Sequence, residues 1–301
     1  MSCIDMCPLP NLRSLLFVPG NREDFFPKAA ATGTDAIVLD LEDSVPPAFK
    51  PEARACVAGE LARSSRPLTF VRINHPACGQ LEKDLAVLAP HTAQAVMLPK
   101  VAGIQDVEPV DARLAIFERD NGLAPDSISI LVVVETSMGL RSLFDVLRSR
   151  PRIRGAGLAS AEEGDFMLDI GGRWTPTGEA LTYARGKFVC DARAAGATWL
   201  VDGAFMKLQA LDALRTESCL ARNHGFSSKV AIHPRQVAVI NEVFSPTAEE
   251  VDRARRLIAA FSESEAMGRG AVKFRGMMID YANLRWARRI LELAQCHSPL
   301  V

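Results

Sequence analysis

The chain has 301 residues, 48% of them apolar, and 35 Lys+Arg against 36 Asp+Glu leave a net charge of -1. Such a balance gives no field to gather nucleic acid and no acidic tail, while the apolar fraction is ample for a large core, which leaves a small, specifically bound ligand as the expected partner. Seven scattered cysteines, odd in number and without a CxxC pair, argue against a disulfide framework and a zinc site and point to a reducing, cytoplasmic setting.

In chain order, the start Met1-Ser-Cys-Ile-Asp-Met6 lacks a basic segment and a sustained apolar run, with Cys3 and Cys7 near an end expected to fray. The longest apolar runs are strand-sized, far below the roughly 18 residues of a membrane span, so no membrane association is expected. Strand patterns follow at about 13–18, 36–41, 68–73, 95–99, 129–134, 155–159, 198–201 and 229–232, each ahead of a segment able to form a helix. Two such segments are Phe49–Leu61, opened by Lys50-Pro51, and Leu208–Leu220, with Leu208, Leu211, Leu214 and Leu220 near helical spacing. Repeated strand-then-helix units predict an α/β fold, a (β/α)8 TIM barrel over residues 1–245.

Beyond the last strand, Thr247 and Glu250 form a capping-box pattern ahead of Val251, Ala254, Leu257, Ile258 and Phe261. The tail crosses Gly268-Arg-Gly270 and Phe274-Arg-Gly-Met-Met-Ile-Asp280 and ends in a helix with Leu284, Ala287 and Leu291 on one face. A barrel closes without these elements. Residues 246–301 are therefore expected to be a helical extension that buries its apolar face on a neighbouring subunit.

The most informative stretch is Ser129-Ile-Leu-Val-Val-Val-Glu-Thr-Ser-Met-Gly139, an apolar run that delivers Glu135 into a loop. Barrel active sites lie at the C-terminal strand ends, which nominates Arg22, Asp40, Glu42, Asp43, Arg72, Lys100, Glu135, Asp165, Asp202 and His233. No GxSxG elbow, Cys-His pairing or Gly-rich phosphate loop accompanies them, so a Ser or Cys hydrolase is a poor reading. Glu135 and Asp165, at the ends of successive strands, offer two oxygen ligands without Cys or His, a set that suits Mg2+ completed by water and substrate oxygens. The alternative for each is a helix cap.

Arg72 ends an otherwise apolar strand, where its guanidinium needs an anionic partner: a substrate oxyanion, or in the structural alternative Glu42 or Asp43. Alternation puts Asp40 and Glu42 on one side and Asp43 opposite, and some of these carboxylates are expected to orient Arg or Lys rather than react. Carboxylates near Lys100 would keep it protonated, which disfavours a Schiff base. His233, before Pro234, reads as a packed loop histidine.

Arg13-Ser-Leu-Leu-Phe-Val-Pro-Gly-Asn-Arg22, Asp40-Leu-Glu-Asp-Ser-Val45, Val71-Arg-Ile-Asn74, Met97-Leu-Pro-Lys-Val101, Glu135-Thr136 with Gly139, Gly225-Phe226, Lys229-Val-Ala-Ile-His-Pro234 with Gln236, and Met278-Ile-Asp280 run in order over about residues 11–292. Together they resemble the citrate lyase β-subunit-like branch of the HpcH/HpaI aldolase family. The resemblance implies Mg2+, a homo-oligomer (trimer or hexamer) with exchanged C-terminal helices, and cleavage or formation of a 3-hydroxyacyl thioester such as malyl-, citramalyl- or citryl-CoA, on CoA or an acyl carrier. It implies Glu135 and Asp165 as metal ligands, Arg72 on the reacting oxygens, and Asp280 as acid/base at a neighbour's site, though by its own surroundings Asp280 could equally cap its helix. Glu42 joins the catalytic candidates, and Arg13, Lys100 and Thr136 the substrate-binding ones.

The helix N-terminus after Glu135-Thr-Ser-Met would offer N–H groups to the acid's distal carboxylate. The chain departs from the family pattern at Ala159-Ser-Ala-Glu-Glu-Gly-Asp165, which leaves Glu163 or Glu162 open as the second ligand, and at Tyr281-Ala-Asn283. The competing readings are a carrier- or CoA-binding subunit with little activity alone and a free 2-keto-3-deoxy acid aldolase.

Overall fold

The structure, a computed structural model, describes residues 11–63, 68–88, 95–268 and 270–296. Cys3 and Cys7 lie outside the described residues; the five others are free thiols. The chain divides into two compact units, Leu12–Phe244 and one that contains Ser245–Val301.

In the first unit, the apolar runs form β1 (Ser14–Pro19), β2 (Ala36–Asp40), β3 (Leu68–Arg72), β4 (Ala95–Leu98), β5 (Ser129–Val134), β6 (Ile153–Leu158), β7 (Trp199–Asp202) and β8 (Ser228–Ala231). All pair in parallel in sequence order, and β8 returns to β1 through Ser14↔Lys229 and Leu15↔Val230, closing the barrel that the sequence predicts. Closure satisfies both edges of the sheet and leaves one face to the helices and one to the interior. β6 starts earlier than its pattern suggests, since Ile153 already pairs with Ile130.

Around the barrel run α1 (Phe26–Ala30), α2 (Lys50–Leu61), α3 (Leu81–Leu85), α4 (Ile104–Asp120), α5 (Ser137–Ser149), α6 (Asp165–Ile170), α7 (Thr182–Ala194), α8 (Leu211–His224) and α9 (Pro234–Phe244). The helix expected from Leu208 begins at Leu211 and stops at Gly225, whose φ of 105° is the left-handed cap a glycine supplies. Leu208 precedes it and is partly exposed, so its fit to the helical spacing misled.

Strand alternation sends Phe70, Arg72, Trp199 and Val201 inward. Phe70 and Trp199 meet edge to face at 5.3 Å and form the floor of the interior. Gly155 makes room for this floor: a β-carbon there would lie 2.7 Å from Trp199 Cβ.

The second unit holds α10 (Ala248–Ala266), the hairpin β9 (Val272–Phe274) and β10 (Met277–Ile279), and α11 (Tyr281–Cys296). Thr247 and Glu250 form the expected capping box. Ala254, Leu257 and Phe261 of α10 bury against Ile279, Leu284 and Ala287. This corrects the expectation that the tail has no place of its own for its apolar face: the two helices cover each other. Among the described residues no helix is long and apolar enough to cross a membrane.

Candidate active site

Asp40 and Arg72 are register partners at the C-terminal ends of β2 and β3. Arg72 donates from Nε and Nη2 to the two Asp40 oxygens, both at 2.6 Å, and its Nη1 lies 3.0 Å from Glu42 Oε2. The guanidinium also sits over the Phe17 ring, 4.9 Å from its centroid. Burial opposes these charges, but the bidentate pair outweighs it, lowering the Asp40 pKa and raising that of Arg72. The sequence expected Glu42 or Asp43 as the structural partner of Arg72; Asp40 is the principal one.

Lys100 donates to Glu42 Oε1 at 2.6 Å and to Asp43 Oδ2 at 2.9 Å. Glu42 and Asp43 thus meet at one ammonium, a correction to their expected opposite placement, because strand alternation ends with β2 at Asp40. Burial lowers the Lys100 pKa, but the two carboxylates raise it further, so the amine stays protonated. Glu42 is raised, chiefly by burial and against the pull of Arg72 and Lys100.

Glu135 follows β5 and is buried, with Oε1 accepting the Lys100 N–H at 3.1 Å. Lys100 takes the left-handed φ of 56° there, a strained conformation for a non-glycine residue. Burial, then the hydrogen bond that the protonated Glu135 carboxyl donates to Asp165, then the charge of Glu42 push the Glu135 pKa up to about 8. Asp165 opens α6 after Gly164, so it belongs to a helix start, yet its side chain reaches Glu135.

Of the alternative ligands, Glu162 is held by Lys207 at 3.0 Å, and Glu163 occupies a left-handed turn with φ 59°. Glu135 and Asp165 side by side are a hard oxygen donor set, without sulfur or nitrogen, that a divalent cation would satisfy, and Mg2+ fits them. Among the described residues no three His, Cys, Asp or Glu side chains gather in this way, so water and substrate oxygens would complete the shell.

Below Arg72 and Glu135 lies a cavity of about 200 Å³ with Met97, Leu131, Val201 and Val230 in its wall. Asp202 borders it, but its carboxylate is taken by Lys229 at 2.7 Å, Ser160 at 2.9 Å and Arg185 at 3.1 Å. Lys229 also meets Glu217 at 2.5 Å, and all four charged groups are buried. Asp202 therefore braces the barrel wall.

Several sequence candidates fall elsewhere. Arg13 precedes β1, at the N-terminal end of the barrel, and clamps Asp35 through Nε at 2.9 Å and Nη2 at 2.7 Å; its assignment to substrate is corrected by that position. Thr136 caps α5 by accepting the Gly139 N–H at 3.1 Å, and Asp169 accepts the Ser137 N–H at 2.6 Å. Two of the N–H groups expected to face a substrate carboxylate are thus already engaged. His233 accepts the Arg235 N–H at 3.2 Å, a local turn, as the sequence suggests. Arg22 bonds Asp24 at 3.0 Å and stacks on Phe25. Asp280 belongs to the second unit, where it accepts the Ala282 N–H at 2.8 Å while Asn283 accepts its own N–H at 2.9 Å, a reciprocal cap of α11.

Sequence reasoning missed the support behind Glu42. Lys50 donates to Leu41 O at 2.8 Å, Glu42 O at 3.0 Å and Asn74 Oδ1 at 2.6 Å, and Asn74 is held by the buried Asp84 at 2.7 Å. A polar residue just past an apolar strand, as in Val71-Arg-Ile-Asn74, was the available signal.

A profile of the HpcH/HpaI aldolase/citrate lyase family matches residues 13–234, and one described as a C-C bond lyase of the TIM-barrel fold matches residues 183–298. The mitochondrial citramalyl-CoA lyase of Mus musculus is 35% identical, with 94% of this chain and 86% of that protein covered. The (3S)-malyl-CoA thioesterase of Cereibacter sphaeroides is 32% identical, with 94% of each covered. Among solved structures, CitE of Mycobacterium tuberculosis in complex with magnesium, acetoacetate and coenzyme A superposes with a TM-score of 0.76 at 28% identity, covering 94% of this chain and 97% of that one. With the barrel closed, the family profile spanning residues 13–234 and relatives above 30% identity covering nearly the whole chain, the chain belongs to the HpcH/HpaI aldolase/citrate lyase family.

Proposed function

We propose that this protein is a Mg2+-dependent carbon–carbon lyase that cleaves, or forms, a 3-hydroxyacyl-CoA thioester, yielding an acyl-CoA such as acetyl-CoA and a 2-oxo acid. The observation that carries this reading is the meeting of a pre-aimed Arg72 with Glu135, itself paired with Asp165, in the wall of one cavity. The relatives named for citramalyl-CoA and malyl-CoA chemistry support the thioester, and the CitE complex supports the metal.

Glu135 and Asp165 would hold Mg2+, which when bound supplies Lewis acidity toward the oxygens of the acid half. In cleavage the C2–C3 bond of the hydroxyacyl chain breaks, the carbinol carbon becomes the keto carbon as its hydroxyl loses a proton, and the electron pair moves into the thioester as an enolate. Arg72, fixed on Asp40, stabilises that negative charge. Asp280, supplied by a neighbouring copy of the chain, takes up the hydroxyl proton as base and then, as acid, gives a proton to the enolate carbon, so no net proton is gained or lost. Exposed Met278 and Tyr281 flank Asp280 and suit burial against such a copy. Lys100, kept protonated by Glu42 and Asp43, is unsuited to imine formation, and a thioester needs none.

Mass-spectrometric detection of products from a panel of citramalyl-, malyl- and citryl-CoA with the isolated chain tests the reading. Turnover of a thioester supports it. Inert thioesters with cleavage of a free 2-keto-3-deoxy acid would replace it with the aldolase alternative, and binding without turnover would leave a CoA- or carrier-binding subunit.

A further inference from the structure

Above the Phe70–Trp199 floor, the cavity has more room than its framework requires. Gly157 of β6 is in its wall, two residues beyond Gly155 on the same inward face. The two glycines differ: a β-carbon on Gly155 would collide with Trp199, whereas one on Gly157 would meet Val201 O at 3.7 Å and Leu131 Cδ2 at 3.8 Å, ordinary contact distances. Gly157 also lacks a left-handed backbone, so neither packing nor conformation demands glycine there. What the missing side chain leaves is space beside Leu131 and Val201.

That space is apolar, and its cations are committed. Arg72 is the one cation among the described residues of the cavity wall, and it is engaged by Asp40 and Glu42. Behind the wall, Lys229 and Arg185 are buried on Asp202 and Glu217. A second substrate carboxylate pointing down the barrel would enter without a free counter-charge and beside Asp202, which is costly. A short alkyl group would replace the space with apolar contact.

We infer that the cavity receives the side group of the acid half, that this group is a short uncharged alkyl chain, and that Gly157 sets its permitted length. The 2-oxo acid partner is then a monocarboxylate of the pyruvate or 2-oxobutyrate kind, and a dicarboxylate such as oxaloacetate is rejected. This inference rests on the carbon–carbon lyase reading, because that reading places the oxygens of the acid half at the Glu135 end of the same cavity.

The test is condensation of acetyl-CoA with glyoxylate, pyruvate, 2-oxobutyrate or oxaloacetate in the presence of Mg2+, with the 3-hydroxyacyl-CoA product measured by mass spectrometry. Pyruvate and 2-oxobutyrate should exceed oxaloacetate in kcat/KM by roughly 100-fold or more, the scale of an uncompensated buried charge. Gly157→Val should lower the 2-oxobutyrate/glyoxylate ratio of kcat/KM by about 10-fold or more, and Gly157→Ala, which the backbone admits without a clash, should lower it in the same direction. Oxaloacetate accepted as well as pyruvate would overturn the inference while leaving the lyase reading in place, as would an unchanged ratio in a folded Gly157→Ala variant. No product from any 2-oxo acid, with cleavage of the 3-hydroxyacyl-CoA panel also absent, would overturn the lyase reading and the inference with it.

Discussion

Arg72 and Asp40, facing each other across adjacent strand ends, are joined by two N–H···O bonds of 2.6 Å, so the guanidinium is oriented by the barrel before any substrate arrives. Arg72→Lys keeps a positive charge but loses the planar fork, and should lower kcat/KM by about 100-fold or more with little change in Tm. Asp40→Asn should act through the aim of Arg72 and lower kcat by roughly 10- to 100-fold. Steady-state kinetics beside thermal melts check both; an Arg72→Lys enzyme near wild-type rate would return Arg72 to a purely structural ion pair.

Removal of the metal should abolish cleavage while the fold persists. The two proposed ligands follow one strand and open one helix, and the barrel closes through its own backbone pairing. EDTA should stop turnover with Tm nearly unchanged, and added Mg2+ should restore it. Glu135→Gln should lose Mg2+-dependent activity with retained secondary structure by circular dichroism. Full activity in chelator would remove the metal assignment.

The buried group of Asp202, Lys229, Arg185 and Glu217 should govern acid stability. Burial opposes the Asp202 charge, but Lys229 and Arg185 overcome it and hold the carboxyl below its ordinary range. A carboxylate lowered on folding contributes stability that is full above its unfolded pKa of about 4 and is lost as the pH falls through the folded value. Asp202→Asn should therefore flatten the acid limb of a Tm–pH profile below about pH 4. At neutral pH it should cost roughly 3–5 kcal/mol by leaving two buried cations, Lys229 and Arg185, to share the single carboxylate of Glu217. Adding Lys229→Met should recover part of that loss in chemical denaturation, and no recovery would show that packing, rather than charge, dominates.

Asp280 should be needed for proton transfer and be supplied in trans. Asp280→Asn retains size and can still accept the Ala282 N–H, so α11 should melt normally while turnover falls by about 100-fold or more. Mixed oligomers of Asp280→Asn and Glu135→Gln chains, with exchange verified by native mass spectrometry, should regain some activity. Verified exchange without recovered activity would confine Asp280 to capping its own helix.

The sequence by itself determined the barrel, because an apolar run buried on both faces is a local pattern, and its repetition before amphipathic segments leaves few ways to close a parallel sheet. It also nominated Arg72, Glu135 and Asp165, since charges at the ends of such runs reach one rim once the barrel forms. The capping box of Thr247 and Glu250 was equally legible, its groups lying three residues apart.

What tertiary structure decided was which partner each charge meets. Asp40 rather than Asp43 holds Arg72 because register sets Asp40 beside it, and Lys100 gathers Glu42 and Asp43 because the chain leaves strand geometry after Asp40. Arg13 looks like a site residue in one dimension, yet it precedes its strand and lies at the N-terminal end of the barrel. The apolar tail looks unpartnered until α11 folds back onto α10. Periodicity is written in neighbouring residues, whereas ion pairing and cavity space depend on side chains brought together from distant strands, and only the closed barrel fixes those distances.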